Sequence, residues 1–163
     1  MAIIQRLYFD DLQVGNEWIS QGRTITEADV VNFAGVTGDF DPLHVDHEFA
    51  AQSPFGKPIA HGLFGLSLVA GLGSHSPSVA TRAFVEIGEW EFLEPLHMGD
   101  TVCVRSQVTE LKTRSRRTGE VHWKRELVNQ RDVVVQSGTF TTLVSRSAAL
   151  ANISPPAPLA KAS

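Results

Sequence analysis

One cysteine, one tyrosine and two methionines are spread over 163 residues. Cys103 has no second thiol to pair with, so no intrachain disulfide braces the fold, as suits a reducing compartment. Long apolar runs are missing too. The longest, residues 59–72, falls short of the roughly 18 residues a membrane-spanning helix needs and carries His61 and several glycines. Residues 1–7 hold no apolar core of signal-peptide length, so the expectation is a cytoplasmic protein without membrane contact. Basic charge is in deficit: 14 Lys and Arg stand against 18 Asp and Glu, a formal net charge of −4, which leaves no electrostatic footprint for nucleic acid. Six histidines are present, but no His-Glu-x-x-His or paired-cysteine pattern. The nearest grouping is His44-Val45-Asp46-His47 with His61 as a third nitrogen; no metal is expected. What remains is an ordinary soluble composition, 42% apolar and 20% charged, long enough for one domain with a real core.

The pattern along the chain divides it into a helical first half and a stranded second half. A strand is expected over residues 18–25, then an amphipathic helix over 26–36 with Thr26 as N-cap and Glu27 and Asp29 in its first turn. Gly38 and Pro42 break it, and residues 47–52 suit a short helical turn. Residues 60–72 are apolar on every side, the mark of a helix buried around its whole circumference, with Gly71 and Gly73 at its end. Four strand-like runs follow, at 80–93, 101–112, 120–128 and 133–144, rich in Val, Thr and Phe. Helices segregated from a run of strands predict an α+β fold, an antiparallel sheet wrapped around one central helix. The domain is expected to span residues 1–146, and 147–163, rich in Ala, Pro and Ser, to form a mobile tail.

Chemistry concentrates between Gly38 and Gly73. Asp39 and His44 lie five residues apart in a loop punctuated by Gly38 and Pro42, able to turn a carboxylate and an imidazole toward one water. The alternative is that Asp39 and Asp41 serve as turn and cap residues. Pro58-Ile59-Ala60-His61-Gly62 then opens the apolar helix. The first N–H groups of a helix lack intrahelical partners, and Gly62 has no side chain to keep a thioester oxygen away. A fixed donor to a developing oxyanion is worth roughly 2.7–4 kcal/mol; the alternative is that Gly62 is small for packing alone. Ser67 supplies the one hydroxyl inside the run, either orienting an acyl group or water or bonding back to a main-chain carbonyl. At an expected hairpin tip, Lys112, Arg114, Arg116 and Arg117 form a basic cluster, either a solvated edge or a contact for the phosphates of coenzyme A.

Gly38-Asp39-Phe40-Asp41-Pro42-Leu43-His44-Val45-Asp46, taken with Pro58-Ile59-Ala60-His61-Gly62, resembles the MaoC-like dehydratases, the family of R-specific enoyl-CoA hydratases; the likeness covers about residues 25–144. The resemblance implies a hotdog fold assembled as a homodimer or a multiple of dimers, an acyl-thioester substrate, and no cofactor beyond the coenzyme A of that substrate. It further implies that Asp39 and His44 are a catalytic dyad, that the Gly62 N–H forms an oxyanion hole, and that Ser67 supports the site. Family members commonly carry Asn where this chain has Asp41; a second carboxylate would raise the pKa of one of the two if both faced the pocket. The reaction expected is reversible hydration of a trans-2-enoyl thioester, with Leu63, Phe64 and Leu66 as candidates for the acyl wall. A thioesterase on the same fold and a non-catalytic acyl-thioester-binding subunit are the rival readings.

Overall fold

The computed structural model describes residues 6–147. A 3-10 turn, Phe9–Asp11, precedes two short strands, β1 (Glu17–Ile19) and β2 (Arg23–Thr24). Helices α1 (Glu27–Thr37), α2 (Pro42–Val45), α3 (His47–Ala51) and α4 (Gly62–Gly73) follow, then β3 (Thr81–Phe92), β4 (Thr101–Thr113), β5 (Thr118–Asn129) and β6 (Val134–Ser145). The strands form one sheet in the order β1-β4-β5-β6-β3, with β2 also paired to β4, and every pairing is antiparallel. The expected α+β architecture is therefore present, a curved sheet around one long helix. No helix among the described residues is long and apolar enough to cross a membrane.

Local sequence explains most of the boundaries. Thr26 Oγ1 accepts the Asp29 N–H at 3.2 Å, and the Asp29 carboxylate accepts the Thr26 N–H at 2.9 Å, a reciprocal cap that starts α1 where the sequence places it. Gly38 ends it in the left-handed region at φ 79°, donating its N–H to Ala34 O. Pro42, expected only to break the chain, instead opens α2: at a first helical position its missing N–H costs nothing, and Asp41 caps it by accepting the Leu43 N–H at 2.8 Å. The single strand expected over 18–25 is two pieces. Between them the Ser20 hydroxyl accepts the Val104 N–H and donates to Gln21 O, which interrupts the ladder.

The core lies between α4 and the sheet. Phe64, Leu68 and Val69 of α4 join Val102, Val104, Val121, Trp123, Leu127 and Phe140 in one buried cluster. On β4, Val102, Val104, Ser106 and Val108 are buried and their neighbours are not, the period of a strand with one covered face. Two glycines let the helix sit directly on side chains of the sheet. A Cβ at Gly65 would overlap the Gln136 carboxamide, and one at Gly73 would come within 2.7 Å of Arg125 Nη1. Gly73 thus serves close approach; the C-cap is Ser74. The expectation that α4 is buried all round does not hold within one chain. Leu63 is 60% exposed, and Ser67 and Gly71, on the same i, i+4 face, are open with it. A single sheet covers only one side of the helix. Of the expected tail, residues from 148 onward lie outside the described span.

Asp100 ties this frame to the start of α4. Its carboxylate accepts the His97 N–H and the Gln130 carboxamide, both at 2.9 Å, closing the turn whose Leu96 carbonyl accepts the Ala60 N–H. Burial opposes the charge, but those hydrogen bonds outweigh it and hold the carboxyl below the usual range. A depressed folded-state value means the stabilisation is full above the unfolded value of about 4 and is lost as pH falls through the folded one. Asp100→Asn should therefore cost about 1.5–3 kcal/mol in urea melts at pH 7 and clearly less at pH 3. An equal cost at both pH values would contradict the assignment.

Candidate active site

Three segments meet at the head of α4. Gly38 turns the chain out of α1 and presents Asp39; α2 carries His44; and the extended residues before α4 bring in His61 as its N-cap. The Ile59 N–H donates to Leu43 O at 3.3 Å, holding this last segment alongside α2.

His44 donates Nδ1–H to the carbonyl of Ile59 at 2.8 Å. A carbonyl only accepts, so the proton of the neutral ring is fixed on Nδ1 and Nε2 is the atom free to exchange. His61 donates Nε2–H to the backbone carbonyl of Asp39 at 2.9 Å, and the Asp39 carboxylate lies 3.9 Å from the same nitrogen. The two imidazoles stack, ring centres 3.8 Å apart, and Phe33 closes on His61 at 5.1 Å. One side-chain atom from each of Asp39, His44 and His61 lies within 4.8 Å of the others. The carboxylate of Asp39 is half exposed while His61 is buried, so the cluster grades from solvent to core.

The amides of the helix start are adjacent. Phe64 and Gly65 both return their N–H to His61 O, at 3.1 and 3.4 Å, so Gly62 and Leu63 stand before the first intrahelical bond. The Gln136 carboxamide donates to Gly62 O at 3.0 Å and accepts the Trp90 indole N–H at 3.2 Å, which fixes the peptide. Phe92 lies over Gly62 so closely that an added Cβ would stand 2.9 Å from the ring. A cavity of about 300 Å³ opens there, lined by Gly62 together with Phe55, Ile59, Phe92, Leu93 and Leu96 among others. Of α4 it touches Gly62 alone. Phe64, read as acyl wall, packs inward on Phe33 instead, 5.6 Å between ring centres.

Other sequence-marked residues sort plainly. Ser67 donates its hydroxyl to Leu63 O at 2.8 Å, the back-bond open to any helical serine. Asp41 is the cap of α2. His47, offered as a metal ligand, turns away to Glu27 at 3.4 Å. In the basic cluster Lys112 pairs with Glu110 and Arg114 with Glu120, which leaves Arg116 and Arg117 without an ion pair among the described residues. The sequence reading gave no role to the His61 ring as a strut, nor any role to Gln136 or Phe92. His61 was signalled by its place directly before Gly62 and as a possible third nitrogen beside His44 and His47. If its ring holds the loop, His61→Ala should leave α4 folded while amide exchange at Phe40 and Asp41 accelerates about tenfold, a loss near 1.4 kcal/mol read by hydrogen–deuterium exchange.

The family model for the MaoC like domain matches residues 13–130. The chain is 42% identical over 113 residues to the 3-hydroxybutyryl-CoA dehydratase of Methylorubrum extorquens, covering 68% of this chain and 69% of that one. It is 33% identical over 105 residues to the (R)-specific enoyl-CoA hydratase of Rhodospirillum rubrum, covering 64% and 71%. Among solved structures, the MaoC-like dehydratase from Rhodospirillum rubrum superposes with a TM-score of 0.76 at 28% identity, covering 86% of this chain and 98% of that one.

Proposed function

Because the chain belongs to the MaoC-like dehydratase family, we propose that it is a hydro-lyase that reversibly adds water to a trans-2-enoyl thioester, giving the (R)-3-hydroxyacyl thioester. The observation that carries this reading is the convergence of the Asp39 carboxylate and the His44 ring on His61, the residue directly before Gly62, whose amide has no partner among the described residues. The thioester oxygen takes the Gly62 N–H, at the positive end of α4, and C3 becomes electrophilic as charge moves onto that oxygen. A water held between Asp39 and His44 gives its proton to the carboxylate as its oxygen bonds C3. That proton passes from Asp39 to the free Nε2 of His44 and from there to C2, which restores both groups. Electrons stay within the substrate, so the scheme uses neither a nicotinamide nor a flavin, and coenzyme A enters only as part of the thioester.

Crotonyl-CoA tests the reaction. Its enoyl absorbance should fall without release of free thiol; thiol release would instead mark hydrolysis of the thioester. Asp39→Asn and His44→Ala should each lower kcat about 10²–10⁴-fold with unchanged circular dichroism. Less than a tenfold loss in either would remove that residue from the dyad.

We propose further that the working unit is a homodimer joined through β3. This strand is one edge of the sheet, the long one, and Phe84, Val85, Ile87, Phe92 and Leu93 along and just beyond it are each 44% exposed or more. An uncovered apolar edge is a template for pairing with a like strand, and the natural partner is a second copy in antiparallel register. Val85→Lys combined with Ile87→Lys should shift light-scattering mass from twice that of the chain toward that of the chain alone. A wild-type protein that is already monomeric would refute the assembly.

A further inference from the structure

Arg125, on the central strand β5, carries a charge that the fold does not neutralise. It is 4% exposed, and burial lowers its pKa to about 10, so the guanidinium remains charged at neutral pH. Among the described residues its single hydrogen bond is a long one, Nη2–H to Gly73 O at 3.3 Å; Nε and Nη1 are buried with no partner. Trp123 and Phe140 flank it, ring centres 5.5 and 4.9 Å from Cζ. Residues 1–5 and 148–163, outside the described span, contain no Asp or Glu. Burying an uncompensated charge is costly. The carbonyl end of α4 and two aromatic faces offset part of that cost but occupy none of the free N–H groups.

Arg125 lines a cavity of about 390 Å³ at the C-terminal end of α4, with Arg6, His75, Thr81 and Phe84 among its other walls and no carboxylate in its lining. Gly73 contributes to the opening, since any side chain there would meet the guanidinium. This cavity touches the start of β3, at Thr81 and Phe84, whereas the cavity at Gly62 touches its end, at Phe92. Antiparallel self-pairing sets the start of one β3 beside the end of the other. The Arg125 cavity of one copy then adjoins the Gly62 amide of its partner.

We propose that Arg125 is a receptor for a carboxylate at the far end of the acyl group, so that the preferred substrates are 2-enoyl thioesters of dicarboxylic acids. This rests on the hydratase and dimer readings above. A guanidinium presents planar, paired donors that match a carboxylate, and donors left otherwise unpaired discriminate strongly against a methyl end.

The test compares kcat/KM for trans-2-enoyl-CoA thioesters of four, six and eight acyl carbons with their counterparts carrying a terminal carboxylate. At one length or more the carboxylated substrate should lead at least tenfold. Arg125→Met, which replaces the buried charge with an apolar chain of similar length, should reduce that ratio at least thirtyfold, mainly through KM. Preference for the methyl end at every length, or an unchanged ratio in the variant, overturns the proposal. Loss of the dimer in the variant with the ratio intact likewise overturns it, assigning the arginine to the subunit contact. Should Arg125→Met fail to fold, Arg125→Lys serves, with an expected ratio between wild type and unity. Titration calorimetry with glutarate and with inorganic phosphate separates this claim from the reaction itself. Saturable glutarate binding that the variant loses upholds the carboxylate receptor even if no enoyl thioester is hydrated. Phosphate binding tighter than glutarate, or no binding of either, sinks it.

Discussion

The hydrogen bond from His61 to the carbonyl of Asp39 is the constraint on which the site depends. The two residues are far apart in sequence and belong to segments that differ in everything else, a glycine-turned loop after α1 and the cap of α4. The bond uses the main chain of Asp39, leaving the carboxylate to accept only the Asp41 N–H, at 3.3 Å, among the described residues, and it fixes the His61 ring as a platform for His44. Remove it, and the carboxylate sits on a loop held by an N–H contact to the Thr37 hydroxyl at 3.3 Å. The proposed dyad would then be local in sequence yet unplaced in space. Buried polar contacts of this kind matter less for total stability than for selecting one geometry.

The same logic governs both ends of α4. At its head Gln136 reaches across from β6 to the Gly62 carbonyl; at its tail Arg125 reaches from β5 to the Gly73 carbonyl. Each contact requires a residue without a side chain in the helix, Gly65 for Gln136 and Gly73 for Arg125. Glycine inside a helix lowers its intrinsic stability by about 0.8–1 kcal/mol per residue. Burial of Phe64, Leu68 and Val69 offsets this and keeps the segment helical. A helix that accepts such a penalty is positioned to within the length of a hydrogen bond at each terminus.

How much of this was legible follows from how local each feature is. The α1 cap, the alternation along β4 and the loop from Gly38 to His44 are set by residues within a few positions of one another, and the sequence names them directly. Asp41 was legible as a cap, but Pro42 reads as a break unless that cap is joined to a helix opening at the proline itself. The open face of α4 was missed for a different reason. Hydropathy reports that Leu63 must be covered but not whether its own chain or a second one does so. Phe92 lines the cavity at Gly62 through the pairing of β3 with β6, which sets Phe92 opposite Gln136, a long-range register invisible in local spacing. Arg125 gave no signal at all: on a strand that alternates, a lone arginine reads as solvent-facing.

The donor atoms at the head of α4 decide what the cluster can hold. Asp39, His44 and His61 bring ligand-type atoms within 4.8 Å of one another, yet each ring has spent one nitrogen on a backbone carbonyl. For His61 the spent atom is the one nearest the carboxylate, and its other nitrogen is buried without a partner. Two donors therefore face the opening, the Asp39 carboxylate and His44 Nε2, one fewer than the three protein ligands usual at a catalytic zinc. Two acceptors a few ångströms apart are instead the complement of a water molecule, whose two hydrogens they engage while its lone pairs stay free to attack. In the proposed reaction the amide of Gly62, one residue beyond His61, is the donor for the charge that the attack creates. The division of labour follows from where the protons are fixed. One ring is locked as a strut, the other keeps one exchanging nitrogen, and the half-exposed carboxylate beside it is the group able to take a proton from water and give it back.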